Sequence, residues 1–119
     1  MSTTKKTEAT VPKMPTFSTS GAMYLLWEKA EKDLHTHELE WFATGAARQV
    51  SLETNVLADM LNGLGSMVAS DTESGSFQSG DGVSNLLFNL ASQVDTINGL
   101  AQISEYANYR ARQVRGEQP

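Results

Sequence analysis

Residues 38–68 read ELEWFATGAARQVSLETNVLADMLNGLGSMV, and their spacing decides the fold. At 100° per residue, Leu39, Phe42, Ala43, Ala46, Val50, Val56, Leu57, Met60, Leu61, Leu64, Met67 and Val68 fall on one stripe with no jump in phase. Asn55, Asp59, Asn62 and Ser66 take the opposite face. One helix over about 37–69 follows, roughly 50 Å long at ~1.5 Å per residue. Glu53 intrudes on its apolar stripe. Gly45, Gly63 and Gly65 are poor helix formers and predict bending or close packing.

Upstream, Met23, Leu26, Trp27, Ala30, Leu34 and Trp41 form a stripe rotated by about 140° from that of the long helix. A straight helix cannot turn both stripes to one core. A break is therefore expected in His35–His37, after a first helix over about 20–35, with Thr36 as N-cap of the second; the competing reading is one long helix packed on two sides. Downstream, residues 70–82 are rich in Gly and Ser without an apolar period and read as a loop. Helix resumes over about 83–114, with Val83, Leu86, Leu87, Leu90, Val94, Ile97 and Ala101 on one stripe that drifts to Leu100, Ile103, Ala107, Ala111 and Val114. Asp81 or Ser84 can cap its start, and Arg110, Arg112 and Arg115 suit the negative end of its dipole.

Two long helices of nearly equal length should form an antiparallel hairpin. In that register Arg48 lies near Glu105, and Arg110 and Arg112 lie near Glu40 and Glu38. The fold class expected is all-α: a long antiparallel helical hairpin with a shorter N-terminal helix, one domain over 20–115. A polar N-terminal tail (1–19) and a short C-terminal tail (116–119) flank it. Val11, Met14 and Phe17 are the only sizeable apolar groups of the N-terminal tail. Such a hairpin leaves apolar groups on several faces, and self-association into a helical bundle is the expected remedy.

Composition narrows the function. The 119 residues are 39% hydrophobic and 19% charged, with net charge -5 and no cysteine. A disulfide scaffold, a thiolate metal site and a cysteine nucleophile are thereby excluded. The longest apolar run, Ala22–Trp27, falls far short of the ~20 residues that span a bilayer. Lys5 and Lys6 are not followed by the apolar core of a signal peptide, so a cytoplasmic protein is expected. Residues 49–81 hold five acids and no base, which favours a basic partner and disfavours nucleic acid. Only Arg110, Arg112 and Arg115, beside Tyr109, cluster positive charge.

Motifs for chemistry are weak. His35, His37, Glu38 and Glu40 suggest metal ligation, but histidines at i and i+2 point about 200° apart on a helix. HExxH fails because Trp41 stands four residues after His37. Convergence on a metal requires the break, with Glu31, Glu38 or Glu40 as further ligands. Residues 71–82 have the length of an EF-hand loop, with Asp71 and Glu73 at the first and third positions. The turn glycine is displaced, however, and Gly82 replaces the bidentate acid. Gly80, Asp81 and Gly82 open a helix without a preceding strand, and Asp81 repels phosphate. No P-loop and no nucleophile elbow is present. No catalytic residue, cofactor or metal is assigned.

A cysteine-free hairpin of this length resembles the small WxG-type secreted proteins and the phasins that coat polyester granules. The Trp-x-Gly turn is absent, since Phe42 follows Trp41, and neither likeness assigns a role to a residue. The function expected is a non-enzymatic helical protein–protein interaction module: an adaptor, regulator or inhibitor that binds another protein and pairs with itself. Its candidate surface comprises Phe88 and Tyr106, opposite the stripe of the third helix, and the acids Asp71, Glu73 and Asp81. The alternatives are an amphipathic coat on a lipid or polymer surface, and a metal-binding protein using the His35–Glu40 junction.

Overall fold

The computed structural model describes residues 13–70 and 80–116, apart from the side chain of Asp81. Three α-helices carry the fold: α1 (Thr19–Ala30), α2 (Thr36–Ser70) and α3 (Gly80–Val114). No strand occurs among the described residues. Helices α2 and α3 form the expected antiparallel hairpin, and α1 packs chiefly on α3. None of these helices is long and apolar enough to cross a membrane.

Helix α1 begins one residue earlier than the pattern predicts. The Ser18 hydroxyl oxygen accepts from the Gly21 N–H at 3.0 Å, satisfying one of the donors that a helix N-terminus leaves unpaired. It also ends earlier, at Ala30. A single 3-10 turn, Glu31–Asp33, tightens the chain, and Leu34 then leaves helical geometry at ψ 133°. The break predicted from the two stripes is therefore present, slightly N-terminal of its expected place.

The cap of α2 differs by one residue from the expected Thr36. His35 supplies the carbonyl that accepts the first helical bond, from Leu39 N–H at 2.9 Å. The Glu38 carboxylate reaches back to accept from His35 N–H at 2.8 Å, which is half of a capping box. Thr36 is thus the first helical residue and His35 the cap. Helix α3 starts at Gly80, inside the segment expected to be loop, and the remainder of that loop lies outside the described residues.

The core is small and sits at the end of the hairpin where α2 begins and α3 finishes. Trp27, Leu39, Ile103, Ala107 and Ala111 are buried together, with Met23, Leu34, Phe42 and Ala43 packed around them. Trp27 meets the ring of Phe42 edge-on, with centroids 6.3 Å apart. Burying about 200 Å² of indole at ~25 cal/mol/Å² contributes about 5 kcal/mol, a large share for so few core residues. Across the hairpin, Ser104 donates through its hydroxyl to the Ala43 carbonyl at 2.8 Å. Arg115 reaches Glu40 through its long side chain, where the sequence had placed Arg110; Ser104 opposite Ala43 keeps the register of the two helices within about one turn of the expected one. Toward the far end of the hairpin only Leu57 of α2 is buried.

The three glycines of α2 do not mark close packing inside this chain. A Cβ added at Gly45, Gly63 or Gly65 would meet nothing within 4 Å. The close approach is at Gly99 of α3 instead, where a Cβ would lie 2.8 Å from Met23 Sδ and 3.0 Å from Ser20 Cα. Helix α1 crosses α3 at that glycine.

Candidate interaction surface

Two polar contacts and the small side of α3 fix where α1 lies. The Asp95 carboxylate accepts from Ser20 N–H at 3.0 Å and from Ser20 Oγ at 2.6 Å. Further along, Tyr24 meets Tyr106 edge-to-face, with ring centroids 5.8 Å apart. Helix α1 therefore runs in the same direction as α3 and lies on its flank, leaving a gap between α1 and α2.

That gap is an apolar groove of about 550 Å³. Met23, Leu26, Trp27 and Ala30 form one wall, Trp41, Phe42, Gly45, Ala46 and Gln49 the other, and Leu100 and Ile103 the floor. Leu26 and Trp41 are about 70% exposed, so the groove is walled by large apolar side chains that nothing among the described residues covers. Leaving such groups in water forfeits ~1.5–3 kcal/mol each relative to burial. Trp41 is held in place by an edge-on contact with Phe42, centroids 5.0 Å apart.

The α2 wall continues past the groove. Positions 41, 45, 49, 52, 56, 60, 63 and 67 share one helical face by their alternating spacings of three and four. Leu52, Val56, Met60 and Met67 on that face are exposed. The groove and this strip form one apolar surface along the length of α2. Contiguous exposure on this scale marks an interaction site more often than scattered apolar residues do.

Comparisons with protein families, with curated proteins and with solved structures return no match. The reading of this surface rests on its own geometry.

The residues singled out in the sequence are divided by the structure. Phe88 on α3 is 72% exposed. Tyr106, on the same face of α3, is partly taken up by Tyr24 of α1. Asp71 and Glu73 lie outside the described residues, as does the side chain of Asp81. His35 and His37 stack face to face, with centroids 5.8 Å apart and planes 7° from parallel. This arrangement arises because His35 precedes the helix while His37 is inside it. Glu38 is turned away to cap His35, and no group of three or more His, Asp or Glu able to hold a metal occurs among the described residues.

A second, smaller hollow lies between α1 and the C-terminal half of α3. Tyr24, Glu28, Glu31, Tyr106, Tyr109 and Arg110 line it. The hydrogen bond between Tyr24 and Glu28, and then the Glu28 charge, hold the Tyr24 phenol above its ordinary pKa. Arg110 forms no ion pair with Glu28 or Glu31 there, and its Nε is buried without an acceptor among the described residues.

The groove was missed in the sequence although its signal was present. Met23, Leu26, Trp27, Ala30, Leu34 and Trp41 read as one stripe, and all six line this groove. Periodicity collects residues on one face; it does not say whether a face is covered.

Proposed function

We propose that this protein is a non-enzymatic helical interaction module, an adaptor, regulator or inhibitor that docks the apolar face of α1 and α2 against another protein helix. The groove between Leu26 and Trp41 carries this reading. It is open, apolar and floored by Leu100 and Ile103, with large apolar side chains on both walls, the kind of surface on which the apolar face of one amphipathic helix docks. Flexible Met23 at its wall, with Met60 and Met67 further along the face, lets such a surface repack around a partner. The titratable groups beside it serve helix capping and surface pairing, which supports binding over catalysis.

The test is affinity capture from the native host with the full chain, beside a Leu26→Glu/Trp41→Glu variant whose helicity is checked by circular dichroism. Both substituted side chains are exposed, so the variant retains its fold. A protein retained by the natural chain and lost by the variant is the expected outcome. Capture that is identical for both removes the groove from the function.

A further inference from the structure

We infer that the partner of this apolar face is a second copy of the chain, docked with its α2 antiparallel to the first about a two-fold axis level with position 54; this rests on the docking role proposed above.

The argument is the order of residues along the face. A two-fold interface is self-complementary: if residue i meets residue j of the partner, then j meets i of the partner. For antiparallel helices the two numbers sum to a constant. Six of the eight positions on the exposed face of α2 obey one such sum, 108, and the other two, Gln49 and Met60, fall opposite the partner's Asp59 and the partner's Arg48. Trp41 meets the partner's Met67, Gly45 meets the partner's Gly63, and Leu52 meets the partner's Val56. Large groups thus face large groups, and each glycine faces a glycine.

Charge agrees with the same register. Arg48 and Asp59 lie on the same edge of the apolar face, and antiparallel pairing brings each within one residue of the level of the other across the axis. Two symmetric ion pairs result. Among the described residues neither Arg48 nor Asp59 makes an ion pair within the chain.

Size is sufficient. From position 41 to 67 the strip is about 39 Å long and a helix diameter of ~10 Å wide, or about 400 Å² on each copy. The partner's hairpin also reaches the groove beside it, which brings the area toward the ~800 Å² per partner of a stable interface. The glycines gain a purpose as well. Gly45 and Gly63 weaken the helix, and a Cβ at either would meet nothing within 4 Å among the described residues, but facing each other they let two helices approach closely.

The natural chain contains no cysteine, so single cysteines report cleanly. Sedimentation equilibrium of the full chain at tens of micromolar should show a dimer. Arg48→Asp and Asp59→Arg should each weaken it by tenfold or more, and the double variant should recover to within a few-fold of the natural chain. Spin labels on Thr44→Cys and Thr54→Cys, both on the other side of α2, fix the direction. The distance between the two labels at 44 should exceed that at 54, the copies being offset along the axis by about 30 Å at 44 and not at all at 54. Equal distances at the two positions, or no recovery in the charge-exchanged double variant, overturn the inference. So does a strict monomer that still captures another protein through Trp41, a result that leaves the docking role standing.

Discussion

Asp95 on α3 holds the first turn of α1 through Ser20, accepting from its backbone N–H at 3.0 Å and its hydroxyl at 2.6 Å. The pair spans 75 positions of sequence and does the work of a cap supplied by another helix. The Ser20 hydroxyl, then the Ser20 backbone N–H, hold the Asp95 carboxyl below its ordinary range. A carboxyl whose native pKa lies below its unfolded value, near 4, stabilises the fold fully above that value. The contribution is lost as pH falls through the lowered native value. Asp95→Asn should therefore melt below the natural chain at neutral pH, with the gap closing as the pH is taken below about 4. Thermal melts followed by tryptophan fluorescence across pH 7 to 2.5 check this; a gap that does not change with pH contradicts it.

Gly99 is the second fixed point of α1. A methyl group there would meet Ser20 backbone at 3.0 Å, and backbone cannot step aside as the end of a methionine can. Gly99→Ala gains up to ~1 kcal/mol in helix propensity and loses ~1–3 kcal/mol to overpacking, so a net loss is expected. Gly65→Ala supplies the control. Nothing lies within 4 Å of its Cβ position, and the same substitution should stabilise by about 0.5–1 kcal/mol. Urea denaturation of both variants gives the comparison, and equal signs would rule out the crossing as described.

How these elements were written in the sequence explains what could be read there. The long helices were legible because a period of 3.6 persists over some thirty residues, and the break before α2 because two stripes disagree in phase. The seat of α1 was not. It depends on Ser20, Asp95 and Gly99, a polar pair and a missing side chain, none of which registers as hydrophobic periodicity. Tyr106 accordingly read as part of an exposed face, although it and Asp95 lie where α1 docks. Phe88, beyond the reach of α1, stays exposed as read. The groove shows the converse limit. Leu26 and Trp41 read as one stripe, yet they stand on different helices and face each other across an open groove.

Stability should be concentrated at the core end of the hairpin. Leu39 is fully buried between Trp27 and the alanines of α3, whereas Leu61 on the same helix is nearly half exposed. Leu39→Ala is expected to cost about 2–5 kcal/mol through lost burial and a residual cavity. Leu61→Ala should cost less than about 1 kcal/mol. In dilute solution, with the copies apart, hydrogen exchange should rank the helices in the same way, with the amides of residues 39–46 and 103–111 slowest and those beyond 57 on α2 opening first. Comparable losses for the two leucines would mean that the far half of the hairpin is covered in solution.

Arg110 presents the opposite situation, a charge where an apolar side chain would serve. Its stem lies beside Tyr24, Tyr106 and Tyr109 in the smaller hollow, while its Nε is buried without an acceptor among the described residues. A buried donor left unpaired costs roughly 1–3 kcal/mol, and packing of the aliphatic stem offsets part of that. Arg110→Met keeps a flexible stem of similar reach and removes the unpaired donor, so it should stabilise the fold by about 1 kcal/mol. Arg110→Ala removes the stem as well and should lose that gain. Chemical denaturation of the two variants separates packing from charge. If the methionine variant is the less stable of the two, the guanidinium is held by an acceptor in solution and the hollow is a polar site in its own right.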